Sequence, residues 1–287
     1  MQVLRITVLF FIMAIPISSY AGKARTIDEM VKMYDSSSCK ECHEEIYIQW
    51  EKSHHARPLM GLNEDNFLEG VLHSPFAPKD IKNATKKNFP CFKCHLPQAL
   101  EAEDSVSAEI AQAMARGDKA TVSKLQITCI VCHNTKAIIH RLQDGKPEKD
   151  VLYSSQDIPE HEDSSYTQVK KSVIMKESLF CGQCHGLGPN LDAENPYQCA
   201  TLYGSYLHSY IPAGGTQTCQ ECHMKDGDHL IAPNWNDPGT SKLLGKSISL
   251  DVQTLGYEWL RKKNDLRPMI VVNTTIDHKA GHRIPDG

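Results

Sequence analysis

Ten of the eleven cysteines in this 287-residue chain fall into five copies of one pattern, Cys-x-x-Cys-His. The copies are Cys39-Lys-Glu-Cys42-His43, Cys91-Phe-Lys-Cys94-His95, Cys129-Ile-Val-Cys132-His133, Cys181-Gly-Gln-Cys184-His185 and Cys219-Gln-Glu-Cys222-His223. Paired thiols at this spacing can hold zinc, cycle through a disulfide, or tether a haem. A zinc site takes four ligands, usually two Cys pairs or a Cys pair with a His pair. That chemistry gives no reason for a histidine directly after every pair. A redox dithiol uses the two sulfurs alone. Attachment of c-type haem uses all three side chains. The thiols reach the two vinyl groups on one porphyrin edge, and the adjacent imidazole turns under the ring to bind iron. The expected cofactors are therefore five c-type haems, held by the ten motif cysteines, with His43, His95, His133, His185 and His223 on the irons.

Composition fits that expectation. Only 7% of the residues are aromatic and 23% are charged, so the chain offers a thin core unless something else fills it. Five large, mostly apolar rings would do so. With 31 Lys+Arg against 35 Asp+Glu, the mildly acidic balance speaks against nucleic acid as a partner.

The N-terminus, MQVLRITVLFFIMAIPISSYAGKA, has one early cation, Arg5, a short apolar run, and small residues before Gly22. This is the pattern of a secretory signal peptide over 1–21, cut after Ala21. The run is short of the roughly 20 apolar residues that a membrane span needs, so a periplasmic or extracellular protein without a membrane span is expected after cleavage. Eleven cysteines in an exported chain would ordinarily suggest disulfides, but the motif spacing overrides that reading.

The rest of the chain reads as mostly α: short helices and long loops packed around five covalently bound haems, with a small β element at the C-terminus. A capping-box start at Thr26 opens a helix through Tyr34. Helical apolar spacing runs from Ala102 to Arg116, with Gly117 as its stop. Segments near 163–177 and 250–263 carry the same helical spacing. The stretch MIVVNTTI at 269–276 is apolar and β-branched, and reads as a strand. The expected domains are the signal peptide, a multihaem domain over 22–235, and a helix plus strand over 236–287, the latter as the start of a truncated β element. The gaps between motifs alternate 52, 38, 52, 38, which hints at a duplication of period 90.

Nine histidines lie outside the motifs: His54, His55, His73, His140, His161, His208, His229, His278 and His282. Imidazole is the commonest side-chain metal ligand, so these are the candidates for the second axial position of each iron. Met224 follows His223 directly and cannot reach over the same ring; it reads as packing. Cys199, the odd cysteine, reads as a small buried apolar residue.

Several stretches resemble multihaem cytochromes c of the hydroxylamine oxidoreductase and tetrahaem cytochrome c superfamily. CHEEIYIQWEKSHHARP resembles that family's Trp-x-x-Ser-x-His-Ala element, matching Trp50, Ser53, His55 and Ala56. HEDSSYTQVKKSVIMKESLFCGQCH is similar to the stretch with a ligand histidine before a haem motif, at His161. TLYGSYLHSYIPAGGTQTCQECHMKDGDH resembles the closing haem segment, with His208 and His229. VVNTTIDHKAGHRIPDG is similar to a Gly-His-x-x-Pro-x-Gly element, with His282. The resemblance implies His55, His161, His208, His229 and His282 as distal ligands. His54, beside His55, would face the opposite way on an extended chain. In the family more β structure follows the last element, whereas this sequence stops at Gly287.

Irons with two histidines each have no open position, which points to an electron relay between redox proteins serving as donor and acceptor, in anaerobic or respiratory chains. The alternative is an oxidoreductase of small nitrogen or sulfur compounds acting at one five-coordinate iron. Pentahaem nitrite reductases mark that haem with lysine in the motif, and all five motifs here end in histidine. A third reading is a homo-oligomer or filament in which His278 or His282 ligates a haem of the next copy.

Overall fold

The structure, a computed structural model, describes residues 22–60, 72–73, 77–138, 147–158, 161, 166–186, 200–231, 238–262 and 265–284. The proposed signal peptide, His140 and Cys199 lie outside them. Short helices joined by loops dominate up to residue 247. Helix α1, Ile27–Met33, begins as its sequence dictates: Thr26 Oγ1 accepts from the backbone N–H of Glu29, and the Glu29 carboxylate reaches back to the N–H of Arg25. Helix α2, Glu44–Lys52, starts directly after the first motif.

The longest helix of the N-terminal half, Asp104–Ala115 (α3), buries Val106, Ile110, Ala113 and Met114 along one stripe. Spacing of three to four residues places these side chains on one face. The helix ends at Gly117, whose φ of +65° suits glycine. There the N–H groups of Gly117 and Asp118 close back on the carbonyls of Met114 and Ala113. Against this stripe pack Ile27, Met30, Leu59, Phe89, Phe92, Leu96 and Leu125. Phe92, inside the second motif, is 1% exposed, so one motif is built into this core.

Beyond residue 125 the described apolar clusters are small. One gathers Tyr34, Ile127, Ile130 and Val131; another gathers Ala137, Val151 and Tyr153. Four of the five motifs lie outside the large core.

Two segments expected as helices are strands. Within 163–177, Gln168–Lys171 (β2) pairs in parallel with Val151–Ser154 (β1), and a 3-10 turn follows over Val173–Lys176. Residues 248–262 form β3, Ile248–Lys262, antiparallel to β4, Asp265–His278. The helix of the C-terminal segment lies earlier, at Pro238–Ser247. The apolar residues of 250–263 can be spaced on a helix in sequence, but the cross-strand partner decides, as it does for β structure in general. Register places Leu250 opposite Ile276, Thr254 opposite Val272, and Gly256 opposite Ile270. The β element is thus a long ribbon rather than a single strand. Leu250, Val252, Ile270, Val272 and Ile276 are all more than half exposed on it.

The uneven core makes a stability prediction. Ile110→Ala should destabilise the protein by about 2–5 kcal/mol, the usual cost of a large-to-small change at a fully buried site. Leu250→Ser on the ribbon should stay within about 0.5 kcal/mol. Denaturant unfolding of the two variants checks the contrast.

Candidate functional site

Each motif folds into a single helical turn, and that turn gives the pattern its chemistry. Residues i, i+3 and i+4 share one helix face, so both thiols and the imidazole project together. The N–H groups of His43, His95 and His185 each donate to the carbonyl of the first cysteine of their motif, all at 2.9 Å. The fifth motif, Cys219–His223, has a full capping box: Thr218 and Glu221 satisfy each other's backbone N–H groups. The third runs into a π-helical turn, Val131–Thr135.

The motif histidines do not face solvent alone. His161 faces His43 with ring centres 6.4 Å apart and planes 11° from parallel. His229 faces His133 at 6.3 Å and 17°. His282 faces His223 at 6.0 Å and 21°. His55 faces His185 at 6.2 Å, but with planes crossed at 79°. The spacing stays within 0.4 Å while the angle varies from near-parallel to near-perpendicular. Direct ring contact would couple spacing to angle. One atom bonded to both rings would not. A metal bonded to one nitrogen of each ring at about 2.0 Å holds the centres about 6.3 Å apart whatever the twist.

Hydrogen bonds fix the tautomers in the same sense. Nδ1 of His133 meets the carbonyl of Tyr153 at 2.9 Å, and Nδ1 of His95 that of Pro58 at 3.1 Å. Nδ1 of His161, His229 and His282 meets the carbonyls of Tyr166, Gly227 and Arg283 at 2.9, 2.7 and 2.8 Å. A carbonyl can only accept, so Nδ1 carries the proton and Nε2 keeps its lone pair for a metal. His55 differs from these: its Nδ1 is buried with no hydrogen-bond partner among the described residues. Burial pushes the pKa of His55 down to about 4, helped by the neighbouring His185, His54 and His95. Burial also lowers His95, His133 and His185. These rings are held neutral, the form that binds metal.

Local structure explains how the facing histidines are delivered. Trp50 on α2 donates from Nε1 to the carbonyl of Ile127 at 2.9 Å, and the N–H of Ile127 donates to the carbonyl of His55 at 2.9 Å. The two bonds tie the His55 turn to the extended segment entering the third motif. The N–H of His229 donates to Oε1 of Gln49, also on α2, at 2.9 Å. The His229 loop is strained, with positive φ at Asp226, Gly227 and Ile231; for a β-branched residue such as Ile231 this is a genuine outlier. For His282, the following N–H of Arg283 donates to Oγ of Ser205 at 3.2 Å, and its guanidinium reaches Thr201.

Motifs also touch one another. Cys39 lies beside Cys129, Cys94 beside Cys184, and Cys181 beside Cys219. As free thiols, Cys129, Cys184 and Cys219 are held below their usual range by these neighbours. The first two pairs join residues 90 positions apart. Burial, with the nearby Cys184 adding to it, pushes Cys132 up to about 12. Gln183 in the fourth motif donates to the carbonyl of Lys136, just after the third, at 2.8 Å. Gln220 in the fifth donates to the carbonyls of Met175 and Glu177, just before the fourth. No disulfide joins the ten motif cysteines. Among the described residues no group of three or more His, Cys, Asp or Glu side chains forms a compact metal site, so the thiol contacts do not add up to four-ligand zinc centres.

Of the five histidines singled out beyond the motifs, His55, His161, His229 and His282 each face a motif histidine. Among the described residues His208, in the π-helical turn Tyr206–Tyr210, faces none. His282 meets its partner within the same chain, and His278 sits opposite Ile248 in the ribbon. This removes the basis for reading His282 as a donor to another copy. The residues that sequence reasoning missed are the carbonyl acceptors and Gln49. Backbone carbonyls carry no sequence signal, and Gln49 acts on a residue 180 positions away.

Residues 38–134, which contain the first three motifs, match the family model of cytochrome c554 and c-prime. No curated protein matches the chain. Among solved structures, the penta-heme cytochrome c552 from Thermochromatium tepidum shares the fold, with a TM-score of 0.54 and 22% identity. The match covers 89% of this chain and 68% of that one. The family match and the shared fold support a multihaem c-type cytochrome. Among the described residues no helix is long and apolar enough to cross a membrane.

Trp50→Phe tests how the site is held. It leaves the Ile127 carbonyl without its side-chain donor at a buried position and should cost about 1–3 kcal/mol, read as a lower denaturation midpoint.

Proposed function

We propose that the protein is an exported c-type cytochrome with five haems, relaying electrons between redox partners. The observation that carries this reading is the fourfold recurrence of facing imidazoles at one-metal spacing. In it, Cys39, Cys42, Cys91, Cys94, Cys129, Cys132, Cys181, Cys184, Cys219 and Cys222 form the thioethers. His43, His95, His133, His185 and His223 are the proximal ligands. His161, His229, His55 and His282 are the distal ligands of the first, third, fourth and fifth motifs. His208 is left out, because among the described residues it faces no motif histidine.

When bound, haem iron supplies one-electron chemistry between its ferric and ferrous states. The chain's own contribution is to fill and to fix. At four sites the two facing imidazoles would both bind the iron and leave no open position for a substrate, which favours relay over catalysis. Carbonyl-anchored Nδ1 protons stop the rings from turning. The cysteine contacts link the first motif to the third and the fourth to the second and fifth, while Gln183 bridges the third and fourth. All five attachment points therefore belong to one connected set. Export rests on the signal-like N-terminus and on the haem-attachment chemistry of the motifs.

Two measurements test the reading. Material from a host competent in c-type maturation should exceed the bare polypeptide mass by five haems and give low-spin bis-histidine spectra. His229→Ala should convert one low-spin site to a high-spin site that binds carbon monoxide, with the other sites unchanged. Colourless protein without added mass would overturn the proposal. A wild-type high-spin site that binds nitrite or hydroxylamine would move it towards an enzyme.

A further inference from the structure

The four facing pairs are not equivalent, and the differences converge on one of them. We infer that the site built by His55 and His185 has the highest reduction potential of the four. The inference rests on the haem reading above and deepens it.

Two independent features of the chain act in the same direction. The first is the ring angle. Near-parallel imidazoles, as at His43/His161, His133/His229 and His223/His282, donate π density into the same iron d orbital. That concentrates stabilisation on the ferric state. At His55/His185 the planes cross at 79°, and donation is split between two orbitals.

The second is hydrogen bonding. An acceptor at Nδ1 makes an imidazole more basic and so favours the more highly charged iron. His161, His229 and His282 each have a carbonyl there. Among the described residues, His55 alone of the four distal histidines has a buried Nδ1 with no partner.

The position gives the difference a use. The fourth motif contacts the second through Cys94–Cys184, the fifth through Cys181–Cys219, and the third through Gln183. A high-potential site at that junction would gather reducing equivalents from any arm of the connected set. His55 is then a tuning ligand, and its missing hydrogen bond is part of the tuning.

The experiment is a redox titration of the intact five-haem protein with dithionite, followed by electron paramagnetic resonance. Crossed imidazoles give a ferric signal with a large maximal g value, and near-parallel ones give rhombic signals. The large-g signal should be the first low-spin signal lost as the potential falls. His55→Ala should abolish it and leave the rhombic signals in place. The inference is overturned if the large-g signal is absent, outlasts the rhombic signals, or survives His55→Ala. Should that variant not mature, the wild-type order of loss still decides. A wild-type chain without attached haem would instead overturn the cytochrome reading itself, so the two failures are distinguishable.

Discussion

The structure is organised by imidazoles held about 6 Å apart across a gap sized for one metal atom. That spacing has to be maintained between segments far apart in sequence: His43 and His161, His55 and His185, His133 and His229, His223 and His282. Each pair is a long-range tether, and together the four tie the first motif to the C-terminal tail. In the proposed holoprotein each tether closes through iron, so ligation supplies tertiary contacts that side-chain packing supplies elsewhere.

The distribution of the apolar core follows from this. Residues 24–125 bury enough Leu, Ile, Val, Phe and Met to hold themselves together around α3. Residues 127–284 have small clusters, and their strands, turns and loops chiefly position carbonyls and histidines. β1 is an instance: it is four residues long, yet Tyr153 supplies the acceptor for His133, and Val151 accepts from the side chain of Asn134. The strained backbone around His229 belongs to the same pattern. An Ile at positive φ costs of order 1–3 kcal/mol, a cost that metal ligation and the Gln49 contact can offset.

The geometry of the motifs was legible in the sequence, because it is local. Cys-x-x-Cys-His fits inside one helical turn, so spacing alone gives the geometry. Helix α1 with its Thr26 cap and α3 with its Gly117 stop were legible for the same reason. The long ribbon was half legible. Residues 269–276 read as a strand by composition, but 250–263 fitted a helical period, and only the partner strand made it β3. Among the histidines, His208 looked as good a candidate as His229 in linear sequence. One sits on an exposed turn and the other is aimed at His133 by Gln49 and Gly227.

By itself, the sequence determined where the Cys-x-x-Cys-His motifs lie, how many there are, and that histidines outnumber them. These are properties of bond lengths and single helical turns. Tertiary structure alone decided which histidine faces which motif, at what angle, with or without an acceptor behind it, and which motifs touch. Those depend on contacts between residues tens to nearly two hundred positions apart, and no local propensity encodes them. The reason is physical: an imidazole's character as a ligand is set by what its other nitrogen meets, and that partner here is a backbone carbonyl that any residue could provide.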